Sequence, residues 1–395
     1  MDQDNVVLYG IFSTSGDQQS GGLEAKAALI QSAEDLNSFY RETGSNRVIT
    51  LNITEIDSNS ESVLPAVKQL HESGVNMILG RFTSVQLEAI KPYVDANNVL
   101  ILTSGSTATS LSIPGDNIFR FVPDDSSQVQ ALNSLLKIEN ISVIVPLVHD
   151  DRWINFVNLT ILDNPMSSIG PDDVVRYDHN TQGYDEIVAR LDRLVGSVLT
   201  HEDKDSVGIV AYTFEDIVPI MEEASSENYS NLSQVRWIGT SANMLVSEHL
   251  KSPKAATYGA ERNYTGYVID HRPVEVDAFA DRIVKELGEV NGNAYAVYDL
   301  GIIAARAKFL HGSDDIEDLK KAVTQKAASY HGTLGKAELN AAGDRVQAIF
   351  GFWTLENNST RGFVWKKIGT SDQFITGAEP RITMIDDNAT KPSVK

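Results

Sequence analysis

The stretch TSGSTATSL, residues 103–111, contains the side chains best suited to holding a small ligand. It consists almost wholly of Ser, Thr, Gly and Ala, carries no charge, and follows the apolar run at 99–102. A second hydroxyl pair, Thr83 and Ser84, follows the apolar run at 76–80. Hydroxyl groups both donate and accept hydrogen bonds, and small residues let the backbone approach a bound molecule. Each stretch is therefore either a plain surface loop or part of a binding pocket.

Alternating strand and helix patterns predict where these stretches lie in the fold. Apolar runs predict strands in the first third at residues 6–12, 48–56, 76–80 and 99–103. Three- and four-residue spacing predicts helices between them, at 23–37, 63–70 and 84–96. The same rhythm restarts with strands at 141–148, 174–178, 207–213 and 235–240. Repeated β–α order with continuously apolar strands predicts an α/β fold with doubly wound parallel sheets, covered by helices on both faces.

Both hydroxyl clusters fall where a predicted strand ends. In a doubly wound sheet, ligands bind beyond the carboxyl ends of the strands, and the loops there lead into helix N-termini that favour anions. We therefore interpret Thr83, Ser84, Ser106 and Thr107 as a cradle for a carboxylate. The alternative is a helix N-cap, a position that Ser and Thr prefer in any protein.

Composition excludes several classes of protein. The net charge of −21 argues against a nucleic-acid partner, and the acidic pairs, such as Asp124–Asp125, are interpreted as solvated surface. The chain has no cysteine, which excludes disulfides and thiolate chemistry. No apolar segment approaches the roughly 18 residues that a membrane span needs.

Glycosylation sequons are more frequent than the composition predicts. About four N-x-S/T triplets are expected by chance from the Asn, Ser and Thr content, because only the third position is restricted. Nine are present, at Asn52, Asn140, Asn158, Asn228, Asn231, Asn263, Asn357, Asn358 and Asn388. Residues 1–4 run straight into the first strand. We therefore expect the mature part of an exported chain, located outside the cytoplasm in the periplasm or extracellular space.

No motif for catalysis stands out. The S-x-x-K match at residues 134–137 lies on an ordinary amphipathic pattern, and His149 beside Asp150 and Asp151 is more typical of a solvated turn than of a metal site. We therefore predict no enzyme, no metal site and no cofactor.

Four segments in order resemble the type I periplasmic solute-binding proteins, specifically the leucine/isoleucine/valine-binding family of ABC transporters. They are FSTSGDQQSGGLEAKAALIQSAEDLN (12–37), AVKQLHESGVNMILGRFTS (66–84), VLILTSGSTATSL (99–111) and YHGTLGKAELNAAGDRVQAIFGFWTL (330–355). The resemblance implies two doubly wound lobes joined by three crossovers, with the ligand between them. Lobe one would comprise residues 1–121 and 267–332, and lobe two residues 122–266 and 333–395.

The resemblance also implies roles for individual residues. Ser84 and Thr107 match positions that hold the α-carboxylate of an amino acid, and Gly105 matches the residue whose carbonyl takes the amino group. Lobe two would supply an aromatic wall, for which the candidates are Trp153, Tyr212 and Phe214. Each of these aromatic residues could equally belong to the core of its lobe.

Two departures from the family pattern affect the ligand. Ser241 in WIGTSANM stands where the family has an acid for the ligand's ammonium group, so either Glu215, Asp216 or Glu261 replaces that acid or the ligand is not an α-amino acid. Gly21 and Gly22 stand where an aromatic residue is usual and predict a roomier wall. Arg81 could pair a second carboxylate, but an ordinary surface arginine is the alternative.

The sequence thus predicts the substrate-binding component of an ABC transporter. Its expected partners are a small carboxylate-bearing solute, such as an aliphatic amino acid or a related acid or amide, and a membrane permease. The chain itself is expected to be a monomer. A ligand-sensing receptor or regulator of the same fold is the alternative.

Overall fold

Two units, each with its own sheet, make up the chain in a computed structural model that describes residues 4–16, 18–149, 174–178, 181–270, 292–311, 315–374 and 380–385. Unit 1 comprises residues 1–127, 269–349 and 374–377. Unit 2 comprises residues 128–268, 350–373 and 378–395.

The described strands and helices follow the alternation that the sequence predicts. The strands are β1 (Asn5–Ser15), β2 (Val48–Asp57), β3 (Met77–Gly80), β4 (Leu100–Thr103), β5 (Ile118–Arg120), β6 (Val143–His149), β7 (Val175–Tyr177), β8 (Val207–Tyr212), β9 (Arg236–Gly239), β10 (Thr265–Ile269), β11 (His331–Gly332), β12 (Gly335–Lys336), β13 (Gln347–Asn358), β14 (Gly362–Phe374) and β15 (Arg381–Met384). The helices are α1 (Gln19–Glu42), α2 (Ser60–Glu72), α3 (Ser84–Ala96), α4 (Asp125–Ile138), α5 (Asp185–Val198), α6 (Ile217–Ala224), α7 (Ser247–Lys251), α8 (Pro253–Glu261), α9 (Gly292–His311) and α10 (Ile316–Ala328).

Unit 1 contains a five-stranded sheet in the order β2-β1-β3-β4-β5, and every pairing is parallel. Every residue of β3 and β4 is buried, which explains why these strands are continuously apolar rather than alternating. The segment at 118–123, interpreted from sequence as a crossover, begins with the short strand β5 paired to β4. The carboxyl ends of β3, β4 and β5 therefore lie side by side.

Unit 2 contains an eight-stranded sheet in the order β15-β14-β13-β10-β9-β8-β6-β7. The strands from β10 to β7 pair in parallel, whereas β14 and β15 pair antiparallel. The amide of Leu355 donates to the carbonyl of Tyr264 at 3.0 Å, which places the far end of β13 next to the start of β10. The buried apolar core of this unit includes Trp237, Tyr258 and Trp353. The mixed α/β class and the parallel sheets predicted from sequence are confirmed.

Glycine is required where α1 begins beside β1. A Cβ atom on Gly22 would lie 1.6 Å from the carbonyl oxygen of Ser13, so no larger residue fits without moving the backbone. The glycine predicted to leave a roomier wall therefore allows the first turn of α1 to pack directly on the end of β1.

Residues 333–349, expected from the sequence in lobe two, pack within unit 1. Asp299 on α9 accepts a hydrogen bond from the amide of Thr333 at 2.8 Å. Burial raises the pKa of Asp299, against the opposing effect of the nearby Arg345 guanidinium. These contacts hold the segment after α10 against α9.

A buried ion pair fixes the end of β5 to the same segment. Arg120 donates to both carboxylate oxygens of Asp344, at 2.6 and 2.8 Å, and the side chains are only 1% and 4% exposed. The Arg120 amide donates to the carbonyl of Gly343, and its own carbonyl accepts from the amide of Arg345, both at 2.9 Å. Arg120 also donates to the carbonyl of Ala108 at 2.6 Å, within the hydroxyl-rich loop. The guanidinium thus connects that loop to β5 and to Asp344.

Replacing Asp344 with Asn should destabilise the protein by about 3–5 kcal/mol, because it leaves the Arg120 charge buried without its partner. Urea unfolding followed by far-UV circular dichroism measures the effect. Glu55→Gln is the matched control, since it breaks an exposed ion pair with Lys26 and should leave the midpoint almost unchanged. Equal midpoints for the two variants would contradict a structural role for the Arg120–Asp344 pair.

Candidate functional site

Hydrogen bonds join the loops that follow β3 and β4 in unit 1. The hydroxyl of Thr103 accepts from the amides of Phe82 and Gly105, at 3.0 and 3.3 Å. The amide of Ser104 donates to the carbonyl of Gly80 at 3.2 Å. The two hydroxyl clusters singled out from sequence are therefore held next to each other at one edge of the sheet.

Two predicted site residues meet across these loops. The hydroxyls of Ser84 and Ser106 lie 3.0 Å apart. Ser106 is completely buried, whereas Ser84, the first residue of α3, is half-buried. Ser106 thus contacts the hydroxyl of Ser84 from its buried side and is placed to orient it.

Thr83 is the N-cap of α3. Its hydroxyl accepts from the amide of Gln86 at 3.3 Å, and the Gln86 side chain accepts from the Thr83 amide at 3.1 Å. This reciprocal arrangement is a capping box, so of the four residues for which a cap was the alternative, Thr83 is the one that caps α3. The amides of Ser84 and Val85 lie in the first helical turn, where α3 itself supplies no carbonyl acceptor.

Thr107 contacts the first turn of α4 rather than capping a helix of its own. The amide of Asp125 donates to the carbonyl of Thr107 at 2.8 Å, and the Thr107 hydroxyl donates to the Asp125 carboxylate. Burial raises the pKa of the Asp125 carboxyl to about 6, although the Thr107 hydrogen bond and the Arg120 charge act in the opposite direction. Asp125 is half-buried, and the raised pKa of its carboxyl shows that it is not the solvated surface group that the acidic pair Asp124–Asp125 predicts.

Glycine at positions 105 and 21 meets close neighbours. A Cβ atom on Gly105 would lie 2.5 Å from the carbonyl oxygen of Phe82, and one on Gly21 would lie 2.8 Å from the Arg81 guanidinium carbon. Arg81 is half-buried and donates to the side-chain oxygen of Gln18 at 3.0 Å. The space beside Gly21, predicted to be open, is therefore occupied by the guanidinium of Arg81, which is not a plain surface arginine.

In unit 2, residue 241, where the family resemblance implies an acid, is an uncharged serine. Ser241, just after β9, is buried, and its hydroxyl donates to the side-chain oxygen of Gln128. Tyr267 donates to the same oxygen at 3.4 Å. A Ser–Gln–Tyr network thus replaces the carboxylate.

The predicted aromatic residues of unit 2 differ in exposure. Tyr212 is completely buried at the end of β8, and Phe214 is half-buried two residues later. Trp153 lies outside the described residues. The structure therefore positions two of the three predicted aromatic side chains at the carboxyl edge of this sheet.

His149 is buried, so its interpretation as part of a solvated turn is wrong. Its ring packs edge-on against the rings of Tyr177 and Phe214, with centroids 5.1 and 5.3 Å away. Tyr177 donates to Asp216 at 2.5 Å, and the other oxygen of Asp216 accepts from the amide of Phe214 at 2.8 Å. Asp216 therefore fixes this aromatic cluster.

Glu261, a proposed substitute for the missing acid, lies at the opposite edge of the unit 2 sheet. It ends α8 just before β10 begins and lines a shallow groove together with Asn263 and Asn357. In the described part of the chain, no group of three or more acidic or histidine side chains could hold a metal ion. The same residues include no helix long and apolar enough to cross a membrane.

Comparison with known proteins supports a ligand-binding fold. The uncharacterized protein MJ1266 of Methanocaldococcus jannaschii is 21% identical over 391 residues, which span 94% of this chain and 90% of that protein. An ABC-transporter solute-binding protein from R. palustris, solved with 4-hydroxybenzoate, has a TM-score of 0.74 at 16% identity, covering 95% of this chain and 99% of its own. The branched-chain amino acid transporter substrate-binding protein LivJ from Streptococcus pneumoniae, solved with isoleucine, has a TM-score of 0.69 at 14% identity, with coverages of 92% and 99%.

The likeness to these solved structures establishes a shared fold, that of the type I periplasmic binding proteins. The family model for the receptor family ligand binding region matches residues 24–358, which is most of the chain. The chain therefore belongs to the receptor family defined by this ligand-binding region.

Proposed function

We propose that this protein is the substrate-binding component of an ABC transporter and that it binds a small α-amino acid at the carboxyl edge of the unit 1 sheet. The observation that carries the proposal is the pairing of two half-sites there. Ser84 and Ser106 form a neutral hydroxyl pair at the N-terminus of α3, and Thr107 and Asp125 form an acidic pair beside them. The isoleucine and 4-hydroxybenzoate bound by the two structural neighbours support a carboxylate-bearing ligand.

The first half-site suits the ligand's carboxylate. The hydroxyl of Ser84 and the first-turn amides of α3 are donors, and the positive end of the helix dipole favours an anion. Ser106 is buried, so we assign it the role of orienting Ser84 rather than of touching the ligand. Arg81, on the same loop, adds positive charge to this side.

The second half-site suits the ligand's ammonium group. A threonine hydroxyl has one proton, and Thr107 donates that proton to Asp125, so it faces a ligand with acceptor lone pairs only. Thr107 therefore accepts from an ammonium rather than donating to a carboxylate, in contrast to the role that the family resemblance implied. Asp125 supplies the negative charge that Ser241 lacks.

A ligand-sensing receptor ectodomain is the second candidate, because the matching family is described as a receptor family. Both candidates use the same ligand site. Co-purification of a membrane permease with the protein from its own cells supports transport, and co-purification of a signalling protein supports sensing.

A matched ligand series should distinguish the two half-sites. The protein is first unfolded and refolded to remove any ligand that it carries. We expect leucine or isoleucine to raise its melting temperature more than either of two analogues does: 4-methylpentanoate, which lacks the ammonium group, and isoamylamine, which lacks the carboxylate. A ligand at 100 times its Kd adds about 2.7 kcal/mol of stability. Stabilisation by the acid alone would contradict the ammonium half-site, and stabilisation by the amine alone would contradict the carboxylate cradle. No stabilisation by any α-amino acid would overturn the proposed ligand class.

Asp125→Asn should weaken binding of the amino acid by about 1.5–3 kcal/mol, the contribution of a hydrogen bond to a charged group. Because the pKa of Asp125 is about 6, its carboxyl loses its charge as the pH falls from 7 to 5, and affinity should fall with it. The variant should show no such pH dependence in this range. Isothermal titration calorimetry at pH 5, 6 and 7 measures both effects.

Asp124→Asn is the control for this experiment, since Asp124 accepts from the amide of Ser127 and asparagine can keep that bond. It should retain the affinity at pH 7 and still lose affinity as the pH falls, but over a lower pH range, because the Asp124 charge helps to raise the pKa of Asp125. An unchanged pH profile in Asp125→Asn would show that another group titrates.

A further inference from the structure

We propose that the amino edge of the unit 2 sheet is an N-glycosylated surface, with glycans on Asn140, Asn228, Asn263 and Asn357. The amino edge is the side from which the parallel strands β6, β8, β9 and β10 begin. The inference rests on export of the chain, which the proposed function also requires, but it concerns a different surface from the ligand site.

The position of the sequons is the first observation. Asn140 lies between α4 and β6, Asn228 between α6 and β9, and Asn263 between α8 and β10, so each precedes the start of a parallel strand. Asn357 lies near the end of β13, which is bonded to the start of β10 through Leu355 and Tyr264. The groove shared by Asn263 and Asn357 confirms that these two side chains are neighbours. All the described sequons of unit 2 therefore lie at one edge.

The state of each side chain is the second observation. The four proposed asparagines are exposed, and within the described part of the chain their side-chain amides donate no hydrogen bond. A glycan on any of them would extend into solvent without displacing a protein contact. Asn140 and Asn263 have positive φ angles of 56° and 49°, a conformation that asparagine tolerates.

One further sequon at the same edge has an engaged side-chain nitrogen and serves as an internal contrast. The side-chain nitrogen of Asn231 donates to the carbonyl and carboxylate oxygens of Asp192, at 3.2 and 3.0 Å. A glycan on that nitrogen would replace one of its two protons and break at least one of these bonds, so we expect Asn231 to be unmodified. Asn358 is half-buried and gives no such contrast, because only its side-chain oxygen is engaged, accepting from the amides of Thr360 and Arg361 at 3.0 and 3.1 Å.

The modification itself is a substitution at a sugar carbon. The side-chain nitrogen of Asn bonds to the anomeric carbon of an oligosaccharide carried on a lipid phosphate. The bond between that carbon and the phosphate oxygen breaks, the lipid phosphate leaves, and the amide loses one proton. The co-substrate is thus a lipid-phosphate-linked oligosaccharide supplied by the exporting cell.

The opposite edge of the unit 2 sheet carries the predicted ligand contacts. Phe214 and Ser241 follow the carboxyl ends of β8 and β9. Glycans at the amino edge would therefore leave these side chains uncovered.

Glycopeptide mass spectrometry on the full chain, isolated from the cells that naturally make it, tests the proposal. We expect a glycan on Asn140, Asn228, Asn263 and Asn357 and none on Asn231. If one of the four residues is wholly unmodified, the proposal is wrong for that residue. If all four are unmodified, the proposal is overturned. A glycan on Asn231 also overturns the proposal, because it would show that hydrogen bonds of the side-chain nitrogen do not determine which asparagines are modified.

Two neighbouring substitutions provide a matched comparison in the exported protein. Asn228→Gln should lower the apparent mass by one glycan, whereas Asn231→Gln should leave the glycan mass unchanged and lower the melting temperature. Ligand titration of protein made without export tests the proposed function separately. Loss of binding there would contradict the ligand site and leave the glycan result unaffected.

Discussion

The buried contact between Arg120 and Asp344 holds the hydroxyl-rich loop on which the candidate site depends. Arg120 stands at the carboxyl end of β5 and bonds to Asp344 and to the Ala108 carbonyl, while Asp344 also accepts from Ser112 at 2.6 Å. Moving the hydroxyl-rich loop would break these bonds and leave a buried charge unsatisfied, which is costly. The loop is therefore ordered during folding rather than on binding. Binding of a ligand therefore does not carry the conformational entropy cost of ordering this loop.

The charge of the site follows from the order of the strands. Because β5 lies beside β4, the helix that follows β5 begins next to the loop that follows β4. Asp125 in the first turn of α4 thus reaches Thr107. The acid expected from unit 2 at position 241 is absent, and a buried ammonium without a carboxylate would be unfavourable. In the site that we propose, unit 1 would supply both the anion-binding and the cation-binding groups, which would account for that departure from the family pattern.

Local patterns predicted the strands, the helices and the two hydroxyl clusters, because continuous apolar runs and helical spacing are visible along the chain. They could not predict which neighbours a side chain meets. Asp125 belongs to an acidic pair that looks solvated in sequence, and only its contact with Thr107 within unit 1 shows otherwise. His149 similarly gave no local sign of the aromatic rings around it. The sequence offered a cap for both Thr83 and Ser84, and only the side-chain geometry shows that Thr83 is the one that caps α3.

Some small residues of the site are needed for packing of the loop, and others are proposed to contact the ligand. These two roles must be separated before mutants can be interpreted. Gly105 is needed to clear the carbonyl of Phe82, and Ser106 is fully buried, so changes at either position would disturb the loop whether or not a ligand touches it. Ser84, Thr107 and Asp125 are only half-buried, and their hydroxyls and carboxylate take part in side-chain bonds that a conservative substitution can remove. A change in affinity at these three positions, without a change in stability, reports on ligand contact. The same result at Gly105 would not.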